Sequence, residues 1–268
     1  MTAESIAAEL LAAYDAGTRT SLFSTRPGGL TLQQAYEAAN MLRLLRVSRG
    51  ERPLGWKIGF TNRSIWDRYG VHAPIWGPVW DRTVARIDGT THRVSLAGLV
   101  QPRLEPEIVF GFARAPTTGM SAAALAGCLE WVAHGFEIVH THYDDWRFTA
   151  PDTVADFALH GRLLIGPRLP VARFDELRGE LAALQVVLRR NGEEVDRGKG
   201  SIVLDGPLDA LRTWVDAMHV QTPQWRIAAC DIVTTGTITD AWPLAAGEQW
   251  ESVLSEPRLP GLTLHTEA

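Results

Sequence analysis

The residues in this chain best suited to chemistry are Glu105 and Glu107, in the stretch PRLEPEIVF at 102–110. As a β-strand this stretch alternates, with Leu104, Ile108 and Phe110 on one face and Glu105, Glu107 and Val109 on the other. Carboxylates two residues apart on a strand lie roughly 7 Å apart, close enough to converge on one hard cation or one substrate proton. A strand with a wet face gives the same pattern, so other residues must decide. Glu137 sits inside the apolar GFEIV and Lys57 inside GWKIGF. Burying either is costly unless it is paired or bound to metal, although a solvent-facing glutamate and a snorkelling edge lysine are the plainer alternatives. Taken together, three carboxylates around a divalent cation leave a net charge of about −1, which one ammonium offsets. An all-oxygen donor set favours Mg²⁺ or Mn²⁺ over zinc, and Mg²⁺ keeps waters that a chelating molecule can replace.

A rival metal reading is HTHYDD, with His140, His142, Asp144 and Asp145, but its spacing matches no usual zinc motif and a polar loop lining a pocket is preferred. His134 and His160 read as core or surface residues. His72, in the loop GVHAPIWG, could serve as a base, with nothing local to secure that role. GxSxG, P-loop and GxGxxG motifs are missing, so a serine hydrolase, a kinase and a dinucleotide enzyme lack their signatures.

The elements that must position these groups belong to an ordinary globular chain of 268 residues, 46% hydrophobic and 21% charged, long enough to bury a substantial core. A net charge of −5 with no basic run argues against nucleic acid and anionic membrane as partners. No apolar run approaches the roughly 18 residues of a transmembrane helix. The opening MTAESIAAELLAAYDAG reads as a helix and not a signal peptide. Cys128 and Cys230 are expected as reduced, buried thiols, which suits a cytoplasmic home. The ten tryptophans are assigned to core and subunit packing.

Helices are expected at 5–15, ending at Gly17, and from Thr31, where Thr31 and Gln34 form a capping box, towards Arg46. Strands are expected at 54–60, 79–87 and 93–96, around Glu105 and Glu107, and at FEIV, RLLIG and CDIVTTGTI, with more in the tail. A short helix at 64–69 stops at Gly70, GVHAPIWGP reads as an irregular loop, and 121–134 reads as the clearest helix. LQVVLRRNGEEVDRG is a hairpin turning at Asn191-Gly192, and 207–218 is a helix. Strands outnumber helices without strict alternation, which excludes doubly wound and TIM-barrel folds and favours an α+β domain on a bent sheet. Two segments result: an N-terminal helical cap at 1–53 and a metal-binding catalytic domain at 54–268.

The motifs GWKIGFT, QPRLEPEIVF, HGFEIV and DTVADFALHGRLLIG, in that order, resemble the 2-keto-4-pentenoate hydratase / 2-oxo-3-hexenedioate decarboxylase group of the fumarylacetoacetate hydrolase superfamily. The resemblance runs from about Leu30 to the C-terminus and includes GKGS at 198–201 and TTGT at 234–237. It implies a mixed β-roll with helical additions, a Mg²⁺ (or Mn²⁺) site formed by Glu105, Glu107 and Glu137, and Lys57 lining the substrate pocket. It also implies assembly into homo-oligomers and a place in bacterial breakdown of aromatic compounds. The small-molecule substrate would be a 2-oxo acid chelating the metal through its carboxylate and C2 oxygen, with the cation stabilising the enolate. Lys57, its pKa lowered by burial, would balance charge or relay a proton.

Several positions depart from the family's pattern. Ile75 stands where hydratases tend to carry an acid, Thr141-His142 where many relatives have Ser-Arg, Phe157 in place of the asparagine of VADN, and Asp240 at a usually glycine-rich turn. Ile75, His142 and Thr237 join Lys57 as expected substrate-reading residues, and His72 joins Lys57 as a catalytic candidate. The resulting expectation is a hydratase of a 2-hydroxydienoic or 2-oxo-enoic acid, with a decarboxylase close behind because of Ile75. An acylpyruvate C–C hydrolase comes third and would need a His–Glu pair activating water. A non-catalytic partner subunit comes last.

Overall fold

The protein is described by a computed structural model covering residues 1–268, the side chain of Arg68 excepted. Helix α1 (Ala3–Ala16) is capped by Thr2 and ends at Gly17, whose φ is 60°. Helix α2 (Leu32–Ser48) starts at the Thr31–Gln34 capping box read from the sequence. Strand β1 (Pro53–Gly59) and the short α3 (Trp66–Tyr69) precede β2 (Ile75–Trp80), β3 (Val84–Arg86), β4 (Thr91–Ser95) and β5 (Arg103–Phe112). Then come α4 (Ala122–Ala126), β6 (Leu129–Val139), α5 (Ala150–Ala155), β7 (His160–Ile165), β8 (Leu169–Pro170) and α6 (Leu177–Ala183). The hairpin β9 (Gln185–Arg190) and β10 (Glu193–Lys199) turns at Asn191-Gly192, both at positive φ. Helix α7 (Pro207–Gln221), β11 (Ile232–Thr237), β12 (Trp242–Pro243), β13 (Gln249–Leu254) and β14 (Thr263–Glu267) complete the chain.

The strands form two sheets. The larger runs β2-β1-β11-β5-β6-β7-β3, with β12 also on β5 and β8 on β6; the smaller runs β10-β9-β13-β14-β4. Pairing is mixed, since β1/β11, β3/β7 and β4/β14 are parallel and the rest antiparallel. This is the expected α+β fold on a mixed, rolled sheet. Among the described residues no helix is long and apolar enough to cross a membrane.

One core cluster joins Leu10 of α1 and Tyr36 and Leu42 of α2 to Trp76 of β2 and Trp214 of α7. A second fills the space between the sheets, with Leu104, Phe136 and Ile138 against Trp250 and Leu264. His134 of β6 joins the layers, Nδ1 lying 3.0 Å from the Glu107 carbonyl oxygen and Nε2 2.7 Å from the Ser252 hydroxyl of β13. Burial pushes its pKa down to about 4, so it makes this bridge as a neutral ring.

Three sequence expectations fail for one reason, tertiary pairing overriding local pattern. The helix at 121–134 shrinks to α4, and the rest becomes β6, an interior strand paired with β5 on one side and β7 on the other. Only Glu130 of β6 is exposed, and an apolar run buried on both faces carries no strand alternation. The last four residues of the expected loop GVHAPIWGP, 75–78, belong to β2, every residue of which is buried, paired with β1. The expected strand at 79–87 is split by a turn between β2 and β3. Cys128 is buried as expected, whereas Cys230 is exposed.

Gly135 of β6 pairs with Glu107 of β5. A Cβ there would meet the Leu164 carbonyl oxygen at 2.8 Å and Val109 Cγ2 at 2.9 Å. Gly135→Ala is therefore expected to lower unfolding stability by about 1–3 kcal/mol in denaturant titration. An unchanged midpoint would show that the sheet yields there without cost.

Candidate active site

The register of β5 against β6 sets Glu105 directly opposite Glu137 and Glu107 opposite Gly135, so the three carboxylates share one face. Each offers an oxygen within 4.8 Å of the others; Glu107 and Glu137 are buried and Glu105 is half-buried. The alternative of a wet strand face is thereby removed. Glu107 Oε2 accepts hydrogen bonds from the Thr234 hydroxyl and from the Gly236 N–H at 2.7 Å. Gly236 has φ 102°, and a Cβ on it would lie 1.9 Å from Thr61 Oγ1, so the TTGT stretch needs glycine there. Glu137 Oε1 lies 2.8 Å from His160 Nδ1, and Lys57 Nζ lies 3.2 Å from Glu137 Oε2.

The electrostatics follow from this crowding. Burial and the nearby Glu137 charge raise the Glu105 carboxyl to about 7 against the pull of Lys57. Burial, then Glu137 and Glu105, hold Glu107 well above the ordinary carboxylate value. Burial acts on Glu137 in the same sense, but Lys57 and the His160 hydrogen bond bring it below the ordinary value. For Lys57, burial is the largest single influence and lowers the pKa. The charges of Glu137, Glu105 and Glu107 outweigh it, and the ammonium titrates above an ordinary lysine, contrary to the expected depression.

The cluster suits a hard divalent cation. Glu107 Oε1 has no partner among the described residues, and Glu137 Oε2 has only the ion pair with Lys57. Among the described residues, no other group of three His, Cys, Asp or Glu side chains gathers as closely. The HTHYDD zinc reading fails: His140 and His142 are buried, while Asp144 and Asp145 are exposed and Asp144 pairs with Arg19.

A cavity of about 220 Å³ opens beside the triad, lined by Lys57, Ile75, Glu105 and Thr237 among others. Four sequence-picked residues thus meet at one place. His72 does not join them; it is exposed and outside the lining. His142 is also outside, fully buried with Nδ1 2.5 Å from Asp156 Oδ1. Sequence reasoning missed Arg103, Phe60, Tyr69 and Phe148, which line the cavity. Arg103 was within reach, because it shares the face of Glu105 two residues on. His160 was also undervalued: its ring orients Glu137 and its Nε2 lies 2.8 Å from the Thr83 hydroxyl. Both nitrogens being engaged, His160–Glu137 is not the water-activating pair that C–C hydrolysis would require.

No family model matches the chain. It is 31% identical over 226 residues to the 2-hydroxyhexa-2,4-dienoate hydratase of Comamonas testosteroni, covering 84% of this chain and 83% of that protein. It is 34% identical over 238 residues to the 2-keto-4-pentenoate hydratase of Burkholderia vietnamiensis, covering 87% and 86%. The chain belongs to the 2-keto-4-pentenoate hydratase / 4-oxalocrotonate decarboxylase family. It is accordingly a lyase that acts on a small molecule. The fold agrees: a 4-oxalocrotonate decarboxylase from Pseudomonas putida G7, solved with magnesium and adipate, superposes with a TM-score of 0.88 at 24% identity, covering 98% of this chain and 97% of that one. A fumarylpyruvate hydrolase from Pseudomonas aeruginosa, solved with Mn²⁺ and pyruvate, superposes at 0.61 and 13% identity, covering 81% and 89%.

Within this family member, His142 has a definable place. Phe157, Ala158 and Leu159 all have positive φ, 56°, 52° and 65°, and Ala158 and Leu159 line the cavity. Asp156 anchors this left-handed turn, accepting from the His142 N–H at 3.0 Å and pairing with the His142 ring. The Leu159 carbonyl accepts from the His140 N–H at 2.9 Å. The turn leads directly into His160 and so fixes the ring that holds Glu137.

Proton linkage supplies a test of the cluster in the metal-free lyase. Glu105 is raised to about 7 when folded and returns to near 4.5 when unfolded, so the folded state binds more protons between those values. Its contribution to stability is thus greatest at the acid end and is lost as pH rises through 7. The metal-free melting temperature is expected to fall from pH 5.5 to 7.5 by an amount that Glu105→Gln reduces, and Mg²⁺ to stabilise more strongly at pH 7.5 than at 5.5. A slope unaffected by Glu105→Gln would mean that this carboxyl titrates normally.

Proposed function

We propose that this lyase is a Mg²⁺-dependent (or Mn²⁺-dependent) hydratase of a 2-hydroxydienoic or 2-oxo-enoic acid, such as 2-keto-4-pentenoate or a derivative, in aromatic-compound catabolism. The observation carrying this reading is the charged Lys57 set against the cluster of three carboxylates, with Lys57 and Glu105 both lining one cavity. Glu105, Glu107 and Glu137 would hold the cation, which when bound supplies Lewis-acid stabilisation of negative charge developing on the substrate's C2 oxygen. The chain's own residues do the remainder. Thr234 and Gly236 fix one oxygen of Glu107, leaving the other for the cation. His160 fixes Glu137, and Glu137 fixes Lys57 Nζ at the cavity wall. From there the ammonium can hydrogen-bond the developing enolate and carry the proton for ketonisation. Ile75, Val139 and Leu159 make the lining beside these groups apolar, which strengthens the electrostatics.

Decarboxylation of a 2-oxo-3-hexenedioate is the second reading, and Ile75 favours it. This residue lines the cavity where an acidic side chain could otherwise orient the water to be added. Segment 1–53 acts in this reading as a cap on the catalytic domain 54–268, since Ser24 hydrogen-bonds the buried Asp152 at 2.6 Å. Homo-oligomers are supported by exposed Leu44 and Val47 on α2, and a cytoplasmic place by two unpaired cysteines.

Calorimetric titration of Mg²⁺ into metal-free protein, with and without oxalate as an enolate mimic, tests the reading. Oxalate is expected to bind only with metal, and Glu105→Gln to weaken metal binding by more than about tenfold. Turnover of 2-hydroxypenta-2,4-dienoate to a hydroxylated acid is expected without release of CO₂. Protein that binds neither metal nor oxalate would overturn the proposal.

A further inference from the structure

Two buried histidines outside the cavity each carry a ring nitrogen with no hydrogen-bond partner among the described residues, Nε2 of His140 and Nε2 of His142. They follow β6, are 1% and 0% exposed, and hold their ring centroids 4.8 Å apart at 69°. Tyr14 of α1 packs against both, its ring 5.9 Å from His140 and 6.2 Å from His142. The opposite nitrogens decide what the two Nε2 atoms can do. His140 Nδ1 accepts the Val100 N–H at 3.3 Å, so it carries no proton, and the proton of the neutral ring sits on Nε2. Burial, the largest influence, pushes the His140 pKa down to about 3 and keeps that ring neutral. His142 Nδ1 lies 2.5 Å from Asp156 Oδ1 and donates its proton to that carboxylate, which leaves Nε2 of the neutral ring as an acceptor. One atom is thus a donor and the other an acceptor.

A buried donor beside a buried acceptor is satisfied by one molecule that accepts from the first and donates to the second. Water is the smallest such molecule, and buried water commonly bridges polar groups in this way. A metal ion does not fit. On His140 Nε2 it would force the ring proton onto Nδ1, where the Val100 N–H already points. We propose that one enclosed water links His140 Nε2 to His142 Nε2, and that the two histidines are positioning residues for the carboxylate triad and the cavity wall. The chain of hydrogen bonds then runs in one direction, from the Val100 N–H through His140, the water and His142 to Asp156. Asp156 opens the turn in which Ala158 and Leu159 line the cavity, and after which His160 holds Glu137 at 2.8 Å. The His140 N–H donates to the Leu159 carbonyl at 2.9 Å, so both histidines grip the same turn. The Thr20 N–H donates to the His142 carbonyl at 2.7 Å, which ties the segment after α1 to the same point. This linkage holds the carboxylates whichever reaction the lyase performs.

Neutron diffraction from a deuterium-exchanged crystal of the full chain reads the linkage directly. Deuterium is expected on His140 Nε2 and on His142 Nδ1, with one D₂O within hydrogen-bond distance of both Nε2 atoms. Asparagine variants isolate the link from the other contacts. His140→Asn keeps an acceptor near the Nδ1 position for Val100, and His142→Asn keeps a donor there for Asp156, while each loses the Nε2 atom. Each is expected to weaken Mg²⁺ binding in calorimetry by about threefold or more, with denaturant midpoints confirming that the variants fold. Both break the same link, so the double variant is expected to bind Mg²⁺ no worse than either single one. Deuterium on His140 Nδ1, or no water between the rings, overturns the linkage, and this result stands even where a substitution prevents folding. Unchanged Mg²⁺ affinity in both variants, or losses that add in the double variant, overturns the positioning role.

Discussion

Three carboxylates confined within 4.8 Å of one another inside a sheet repel, and most of the surrounding architecture serves to keep them there. At an effective dielectric near 20, each pair of unit charges at such a distance interacts with on the order of 3–4 kcal/mol. One ammonium cannot offset all of it. That is why Lys57 lowers Glu137 while Glu105 and Glu107 stay raised, and why Glu107 is left with an oxygen that no described residue satisfies. A divalent cation supplies the missing charge and the missing partner together. The site is accordingly a place where folding stability has been given up for binding, as buried charge clusters at functional sites commonly are.

The sheet order explains how the repulsion is contained. Strands β1, β11, β5, β6 and β7 are contiguous, and each gives one part of the machinery: Lys57, Thr234 with Gly236, Glu105 with Glu107, Glu137, and His160. A strand paired on both sides cannot translate without breaking two ladders. Each charge is therefore held by backbone pairing before any side-chain contact is considered. The helices act from outside this row. Arg46 of α2 is buried, ion-paired with Glu51, and has its guanidinium over Trp80 of β2, 4.5 Å from the ring centroid. Thus the edge strand packed on β1 is itself braced.

Legibility in the sequence followed the range of the interactions involved. Glu105 and Glu107 were readable because strand alternation is local. Glu137 and Lys57 were readable because a charge inside an apolar run is anomalous wherever it lies. The caps at Thr31 and Gly17 and the Asn191-Gly192 turn were readable for the same local reason. What was lost depended on contacts between distant segments. Strand β6 looked helical up to His134 because both of its faces are buried, which removes the alternation of a strand. His160 looked inert because its partner Glu137 is 23 positions away. Phe60, Tyr69 and Phe148 carry no signal in isolation; only the fold brings their rings into one chain.

The departures from the family's pattern gain meaning in the same way. Phe157 occupies a left-handed φ of 56°, a conformation that asparagine tolerates and phenylalanine does not favour. Residues held there cost on the order of 1–3 kcal/mol and persist only when their surroundings over-determine them. The compensation comes from the other departure. The Phe157 ring lies 4.8 Å from Tyr14, the His142 ring 6.2 Å from Tyr14 and from Phe157, and the Arg46 guanidinium 5.4 Å from Phe157. His142 meanwhile grips Asp156, the residue that begins the turn. Two substitutions that look independent in sequence thus form one contact, in which the larger ring at 157 is held by the imidazole at 142 and by the N-terminal helix. Ala158 and Leu159 follow in that turn and line the cavity, and His160 follows them, so the packing at 142 and 157 braces both the cavity wall and the ring that holds Glu137.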